Sequence, residues 1–116
     1  MIKLSNRLEA ISSLVPNNSK VIDIGCDHGL LDIYLYQNKI ASKIIASDIN
    51  ENALNNAKQN INKYKLNKYI KTRLGNGLDT LNKTDEIDTI IISGMGTHTI
   101  IDIIKNNLDK LNFYTV

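Results

Sequence analysis

A short acidic and glycine-containing run near the start of the chain has the residue types and spacing that bind a charged small molecule. Asp23, Gly25, Asp27, His28 and Gly29 lie close together and directly follow an apolar run. The pattern predicts a buried strand that stops at Gly25, a tight loop, and a helix that begins at about Gly29. Such a junction points backbone N–H groups and the positive end of a helix at the carboxyl edge of a sheet, where α/β proteins bind nucleotides. The sequence therefore predicts a nucleotide-like ligand.

The acidic residues indicate which kind of nucleotide would bind. A dinucleotide-binding turn has the pattern G-x-G-x-x-G, with an apolar residue two positions before its first glycine. Here Asp23 is at that position, and Asp27 stands where the middle glycine would be. Either carboxylate would repel a pyrophosphate and attract a cation, such as the amino group of S-adenosylmethionine (SAM). This argues against an oxidoreductase that uses a nicotinamide cofactor.

An acidic residue at the end of the second predicted strand is a candidate ribose ligand. Asp48 follows a short apolar run at positions 43–47. It lies about 20 positions beyond the glycine turn, where a carboxylate accepts hydrogen bonds from the hydroxyls of a nucleotide ribose. The alternative is that Asp48 or Asn50 caps the next helix, whose apolar stripe begins a few residues later. Both interpretations can hold at once.

Two further turns carry candidate ligand groups at the ends of predicted strands. Gly75-Asn76-Gly77 could place its side-chain amide against the edge of an adenine ring, although Asn-Gly is also an ordinary tight-turn pair. Gly94-Met95-Gly96 has no evident packing purpose, so a close approach of its backbone to a ligand is the better explanation.

Strands that alternate with helices would bring these turns together. Strands are predicted over 20–25, 43–47, 69–74 and 87–93, and the first helix is predicted over 4–15 with Ser5 as a cap. A last helix after position 96 would present Ile100, Ile101, Ile104, Leu108 and Leu111 to the sheet, and 111–116 would approach a fifth strand. The sequence thus predicts an α/β fold with a doubly wound parallel sheet, in which all four turns share one edge.

Composition is that of one soluble globular domain. The chain has 116 residues, 42% of them hydrophobic and 22% charged, and a net charge of +2 that permits an anionic partner without requiring one. No apolar run is long enough to span a membrane and no charged-then-apolar leader opens the chain, so a cytoplasmic location is expected. The lone Cys26 excludes an intrachain disulfide, and no second Cys/His group supports zinc. The oligomeric state stays open.

Four motifs together resemble the bacterial TrmK family, which are SAM-dependent tRNA (adenine(22)-N1)-methyltransferases. The motifs, in the order and spacing of that family, are Leu4-Ser5-x-Arg7-Leu8, Asp23-Ile24-Gly25-x-Asp27-His28, Gly75-Asn76-Gly77-Leu78 and Ile92-Ser93-Gly94-Met95-Gly96. Two departures are Asp48, where the family often has Glu, and Thr97, where it usually has Gly. The resemblance implies a class I, Rossmann-like methyltransferase fold. It also implies that residues 1–116 are the N-terminal, SAM-binding part of a longer domain, truncated after the fourth strand and helix.

The resemblance also implies roles for individual residues, with SAM as cofactor and tRNA as substrate. The implied cofactor-binding residues are Asp23, Gly25, Asp27, Gly29, Asp48, Ile49, Gly75, Asn76, Gly77, Gly94, Met95 and Gly96. Asp27 and His28 would be catalytic if either accepts a hydrogen bond from the amino group of the target adenine. In the alternative, Asp27 holds the amino group of SAM and His28 caps the helix.

Arg7 is the favoured contact to tRNA. Further surface candidates for phosphate contacts are Lys58, Lys63, Lys65, Lys68, Lys71 and Arg73. Two alternatives remain open, a SAM-binding fragment without activity and a small-molecule methyltransferase, because fold and SAM motifs alone do not select a substrate.

Overall fold

The computed structural model describes residues 2–93 and 99–103, which form a five-stranded sheet with three α-helices and two short 3₁₀ helices. The elements are α1 (Asn6–Ser13), β1 (Ser19–Ile24), α2 (Leu30–Gln37), β2 (Ala41–Asp48), α3 (Glu51–Lys63), β3 (Ile70–Leu74), the 3₁₀ helices Gly77–Thr80 and Lys83–Asp85, β4 (Thr89–Ser93) and β5 (Thr99–Ile103). The strand order is β3-β2-β1-β4-β5, and the first four strands are parallel. The four predicted parallel strands are therefore confirmed, with small shifts at their ends.

β1 is the central strand of the parallel part and is buried on both faces. Its Ile22 lies opposite Ile45 of β2 and Ile90 of β4, and Asp23 lies opposite Ala46 and Ile91. A parallel strand covered on both sides is typically an unbroken apolar run. Asp23 is the exception in this run, because its carboxyl group lies in a position that the pattern reserves for an apolar side chain.

The two faces of the sheet carry separate hydrophobic cores. On one face, Val21, Ile44 and Ile91 pack in a core to which α1, α2 and α3 all contribute. On the other face, a core of isoleucines packs against the connection between β3 and β4, and its members are Ile22, Ile24, Ile45, Ile87, Ile90 and Ile92, with Leu78 and Leu81 against them. Because side chains alternate along a strand, Asp23 points to the face that bears the α-helices. None of the described helices has the length and hydropathy to cross a membrane.

Local side-chain caps explain where two of the helices begin. The Ser5 hydroxyl accepts a hydrogen bond from the Leu8 N–H at the start of α1, as the sequence predicted. At the start of α3, the Asn50 side chain accepts from the Ala53 N–H at 3.0 Å. α3 then buries Leu54, Ala57 and Ile61, which recur at helical spacing. The cap of α3 is therefore Asn50, which leaves Asp48 for another role.

The helix predicted after position 96 is wrong for residues 99–103. These residues form β5, which pairs with β4 in antiparallel orientation. Three of the five are isoleucines and one is threonine, and β-branched residues favour the extended backbone. The five residues that separate β4 from β5 suffice for an antiparallel return but not for a parallel crossover. Gly94-Met95-Gly96, the rest of the predicted helix and the predicted approach to a fifth strand at 111–116 lie outside the described residues.

Arg73 organises the connection between β3 and β4. Its guanidinium donates to both carboxylate oxygens of Asp85, at 2.6 and 2.7 Å, and to the carbonyl of Thr80 at 2.8 Å. The hydrogen bonds from Arg73 hold the pKa of the Asp85 carboxyl below its ordinary value. Arg73 is therefore a weaker candidate for a phosphate contact than the exposed lysines, because its charge is paired within the fold.

Gly29 ends the β1–α2 loop at a point where a side chain does not fit. Its φ of +73° lies in the left-handed region, and an added Cβ would be 3.2 Å from the Cβ of Ala57 on α3. Glycine adopts this conformation without the steric cost that other residues carry. Gly29 therefore allows α2 and α3 to approach each other directly behind the loop.

We expect Gly29→Ala to lower the free energy of unfolding by about 1–2 kcal/mol for the backbone conformation alone, with a further loss from the contact to Ala57. Urea unfolding at pH 7 measures this. The matched comparison is the same substitution in an Ala57→Gly background, where the steric part of the loss is relieved and only the backbone part remains. An equal loss in both backgrounds would show that helix proximity plays no part.

We expect Asp85→Asn to cost about 1–3 kcal/mol of stability at pH 7, because the partly buried guanidinium of Arg73 loses its charged partner. The folded-state pKa of Asp85 is lowered from 3.8, so the stabilisation is present above pH 4 and is lost as the pH falls through the folded-state pKa. The difference between wild type and variant should therefore stay constant from pH 7 to about pH 4 and shrink below that. Glu86→Gln, which changes the exposed pair with Lys20, is the control and should have little effect.

Candidate functional site

A cavity of about 560 Å³ opens at the carboxyl ends of β1 and β2. Its walls come from α1, the β1–α2 loop, α2 and the junction between β2 and α3. The lining residues are Arg7, Leu8, Asp23, Gly25, Cys26, Asp27, His28, Leu30, Leu31, Asp48, Ile49, Asn50 and Ala53. This volume falls in the range of about 300–1,000 Å³ that small-molecule pockets occupy. The predicted location at the carboxyl edge of the sheet is thus where the structure has a cavity.

Backbone hydrogen bonds attach the β1–α2 loop to the end of β2. The N–H groups of Gly25 and Cys26 both donate to the carbonyl of Ser47, at 2.8 and 2.9 Å. The Gly29 N–H then donates to the Cys26 carbonyl at 2.8 Å, which closes the turn into α2. Gly25 has a φ of +85°, a conformation that favours glycine. These backbone hydrogen bonds therefore hold the β1–α2 loop against the end of β2.

Asp48 links the two loops that border the cavity. Its side chain is almost completely buried, and each carboxylate oxygen accepts one backbone hydrogen bond. Oδ2 accepts from the Asp27 N–H at 3.0 Å, and Oδ1 accepts from the Asn50 N–H at 2.9 Å. A carboxylate has about four acceptor positions, so two remain for a ligand. The sequence predicted a ribose ligand or a helix cap, and it missed this connecting role.

Asp23 presents a buried carboxyl group to the cavity, and a second buried carboxyl lies behind it. Asp23 is 2% exposed and Asp32, in the first turn of α2, is 0% exposed. Oδ1 of Asp23 and both carboxyl oxygens of Asp32 find no hydrogen-bond donor among the described residues when both groups are ionised. The two side chains nevertheless lie within hydrogen-bonding reach of each other. A proton shared between them resolves the conflict.

The degree of burial determines which of the two carboxyl groups, Asp23 or Asp32, favours the protonated form. Removal from water raises the pKa of Asp23 to about 6, and the charge of Asp48 adds to the effect, whereas a hydrogen bond from Asp32 opposes it. Burial, followed by the charge of Asp23, raises the pKa of Asp32 well above its ordinary range. Asp32 does not line the cavity and is the more deeply buried of the two, so burial favours the neutral form of Asp32 over that of Asp23. The sequence analysis did not consider Asp32, although an acidic residue in an otherwise apolar stretch of helix was a visible signal.

Cys26 is a neutral, buried thiol. Burial is the main reason that its pKa is raised, and the nearby carboxyl groups, Asp32 first, raise it further. A thiol with a raised pKa is a poor nucleophile because the thiolate is the reactive form. Within the part of the chain that the structure describes, no group of three or more His, Cys, Asp or Glu side chains is arranged to hold a metal ion.

Asp27 and His28 lie at the mouth of the cavity. Their side chains are 73% and 55% exposed, and Nε2 of His28 is 3.8 Å from Oδ1 of Asp27. Their backbone is nevertheless held, because Asp27 donates to Asp48 and the His28 carbonyl accepts from the Asn60 side chain at 2.8 Å. The two side chains are therefore accessible to a large substrate on a fixed loop.

The structure does not bring every predicted site residue into the cavity wall. Gly29 is buried at the start of α2, and the turn at 75–77 does not line the cavity, although the Gly75 N–H donates to the Asp48 carbonyl at 3.0 Å. Asn76 is exposed, so its contact with an adenine stays a prediction. Arg7 and Ile49 do line the cavity, and Gly94-Met95-Gly96 lies outside the described residues.

Four parallel strands with helices between them and an acidic cavity at the carboxyl ends of β1 and β2 define a Rossmann-like α/β domain with a site for a small molecule. A family model described as a methyltransferase domain matches residues 4–115, and the chain belongs to this family. The chain is similar to the tRNA (adenine(22)-N(1))-methyltransferase of Bacillus subtilis, with 39% identity over 110 residues, which cover 95% of this chain and 46% of that protein.

Two solved structures have the same fold at comparable identity. The crystal structure of the B. subtilis M1A22 tRNA methyltransferase TrmK has a TM-score of 0.77 and 40% identity, and the match covers 83% of this chain and 41% of that one. M. capricolum TrmK in complex with S-adenosyl-homocysteine (SAH) has a TM-score of 0.72 and 42% identity, over 78% and 41% of the two chains. These comparisons confirm the resemblance to the TrmK family. The chain spans less than half the length of these relatives.

We expect Asp48→Ala to speed the hydrogen exchange of the Asp27 and Asn50 amides by about tenfold, because each loses a charged acceptor. Amide exchange followed by NMR measures this. Asn50→Ala is the control, since it removes the acceptor of the Ala53 N–H and leaves the Asp48 carboxylate in place. Unchanged exchange at Asp27 in Asp48→Ala would contradict the linking role.

Proposed function

We propose that this chain is the SAM-binding part of an enzyme that transfers a methyl group to N1 of an adenine in tRNA, at position 22. The observation that carries the proposal is the buried carboxyl of Asp23, which lines the cavity at the carboxyl end of β1. The similarity to proteins named for this activity supports the choice of substrate.

The chemistry of the cavity fits SAM. Asp23, Asp27 and Asp48 contribute three carboxyl groups to the wall, with Arg7 as the basic residue at its edge. This balance favours a ligand that carries ammonium and sulfonium charges over a pyrophosphate. Asp23 would accept from the ammonium group, and the two remaining acceptor positions of Asp48 would hold the ribose hydroxyls. Ile49, exposed beside Asp48, would give the adenine ring an apolar surface.

SAM, when bound, supplies a methyl group on a positively charged sulfur. Adenine N1 already has a lone pair, so the task of the protein is alignment more than proton removal. As N1 is methylated, positive charge builds on the base and its amino group becomes more acidic. An exposed carboxylate at the cavity mouth, Asp27, would accept a hydrogen bond from that amino group and stabilise the charge. His28, next to Asp27, would orient this carboxylate.

The structure favours Asp23 over Asp27 for the amino group of SAM. The Asp23 carboxyl is buried and lines the cavity, whereas the Asp27 side chain is mostly in water. A desolvated carboxylate stabilises an ammonium group more than an exposed one does. Asp27 is thereby left for the substrate, which supports the catalytic interpretation of the pair over the alternative in which it binds the cofactor.

Contacts to tRNA would begin at Arg7, which lines the cavity from α1. Exposed lysines that could add phosphate contacts are Lys58, Lys63, Lys65, Lys68 and Lys71. Such contacts position a nucleic acid without reading its sequence. A tRNA substrate also agrees with the expected cytoplasmic location.

We expect the purified protein to bind SAH saturably, and Asp48→Ala to abolish the binding, because both the ribose acceptors and the loop connections are lost. Isothermal titration measures this, with Glu9→Gln on the exposed side of α1 as the charge-matched control. Methyl transfer to a tRNA with adenine at position 22, compared with one carrying guanine there, then tests the substrate. Binding without transfer by the complete enzyme would favour a SAM-binding protein, and no binding by a folded protein would overturn the proposal.

We expect Asp27→Asn to lower turnover by about 100-fold at nearly unchanged SAH affinity, because the amide cannot carry the negative charge that stabilises the methylated base. Asparagine tolerates the φ of +53° at this position, so the loop should keep its shape. Asp23→Asn is the comparison, and it should weaken SAH binding instead. Weaker SAH binding by Asp27→Asn at unchanged turnover would assign Asp27 to the cofactor.

A further inference from the structure

A buried acidic residue that the proposed reaction does not use stands behind the cavity. Asp32 is fully buried between Leu31 and Ile33 in the first turn of α2, where the surrounding core is hydrophobic. A carboxyl group in such a position costs stability unless it is paired. The presence of this carboxyl group next to the cavity therefore needs an explanation.

The partner of Asp32 is Asp23, which lies between it and the cavity. The two carboxyl groups are within hydrogen-bonding reach, and three of their four oxygens have no donor among the described residues if both are ionised. Asp48 from the end of β2 and the Cys26 thiol from the loop face the pair, and Asp27 and Arg7 line the same cavity as Asp23. Burial of the two carboxyl groups is the largest influence on the pKa of each. One proton must therefore remain on the pair for it to be tolerated in this environment.

A proton on Asp32 has a structural consequence for Asp23. The carboxyl group of an aspartate rotates with little hindrance about its last side-chain bond. A donor behind it fixes this rotation and at the same time favours the ionised form of Asp23. The acceptor that lines the cavity is then both oriented and negatively charged before a ligand arrives. Such preorganisation strengthens binding because less has to be ordered at the moment of contact.

We propose that Asp32 is a positioning residue, which keeps its proton and donates a hydrogen bond to Asp23, so that Asp23 is held as the anionic acceptor for the ammonium group of the cofactor. The inference rests on the proposed binding of SAM. It assigns the binding contact to Asp23 and the control of its orientation and charge to Asp32. Asp32 itself does not line the cavity.

The buried pair of carboxyl groups should lower the stability of the fold in a pH-dependent way. Asp23 holds more protons in the folded than in the unfolded state between about pH 4 and pH 6, and Asp32, whose pKa is raised well above its ordinary value, does so to higher pH. Stability therefore falls as the pH rises from about 4 and keeps falling until Asp32 ionises in the folded protein. A residue that served only the fold would not carry such a cost. Asp32→Leu should consequently raise the melting temperature at pH 7, because a buried carboxyl is replaced by an apolar side chain with the same branched skeleton.

The test compares Asp32→Asn, which keeps a donor without a titrating proton, with Asp32→Leu, which removes the donor. SAH affinity is measured by isothermal titration between pH 5 and pH 8, with Glu9→Gln as the exposed control. Wild-type affinity should fall on the acidic side with a midpoint near the Asp23 pKa of about 6. Asp32→Leu should bind about tenfold more weakly at pH 7 and have this midpoint moved up by about one pH unit, whereas Asp32→Asn should stay within about twofold of wild type.

Two outcomes of the titrations would overturn the proposal. Wild-type affinity and pH profile in Asp32→Leu would show that Asp23 needs no donor behind it. Equal weakening in Asp32→Asn and Asp32→Leu would show that Asp32 acts by something other than a donated hydrogen bond.

Infrared spectra of the ligand-free protein provide a readout that does not depend on SAM. A protonated carboxylic acid has a carbonyl band distinct from that of a carboxylate, and at pH 7 wild type should have a band that both Asp32 variants lack. Absence of that band in wild type would overturn the protonated state of Asp32. If the band is present but wild type does not bind SAH, the proposed function fails and the positioning role fails with it, while the protonated pair stands.

Discussion

The hydrogen bonds that join the end of β1 to the end of β2 are the constraint on which the site depends. Parallel pairing places Asp23 opposite Ala46, so the chain leaves both strands at the same edge of the sheet. The Ser47 carbonyl and the Asp48 carboxylate then accept the N–H groups of the β1–α2 loop. A loop held in this way keeps its side chains at the cavity mouth even though they are exposed. The position of the cavity therefore depends on strand register more than on any particular side chain.

The second determinant is the dielectric environment of the acidic residues. The same side chain behaves in three ways within one site. Asp27, in water, is available to a substrate, and Asp48, hydrogen-bonded twice, connects two loops. Asp23 and Asp32, away from water, have to share a proton. Burial therefore turns a cluster that would repel itself into one anionic acceptor with a neutral donor behind it. Functional sites often hold groups that the fold would be more stable without.

Part of the fold and of the site could be predicted from the order and spacing of residues along the chain. The apolar runs predicted four parallel strands, the glycine turn and Asp48 predicted a ligand at their carboxyl edge, and four short motifs carried the resemblance to TrmK. Each of these depends on local pattern and spacing. Three features could not be read in the same way. The partner of Arg73 lies twelve positions later, the pair of Asp23 lies in the next helix, and the direction of β5 depends on the connection between two strands. For residues 99–103, the isoleucine spacing favoured a helix, and the strand propensity of β-branched residues prevailed.

The sequence by itself predicted the class of ligand and pointed to the edge of the sheet at which the structure has a cavity. Asp27 stands in place of a phosphate-binding glycine, and Asp23 stands in place of an apolar strand residue. Both replacements are visible in the sequence without knowledge of the fold. Only the tertiary structure decided what each acidic residue does. A pKa depends on solvent exposure and on neighbours brought together by strand pairing and helix packing, and none of these is encoded in spacing along the chain. For this reason Asp32, which has no place in the nucleotide-binding pattern, became part of the site only when α2 was packed against the sheet.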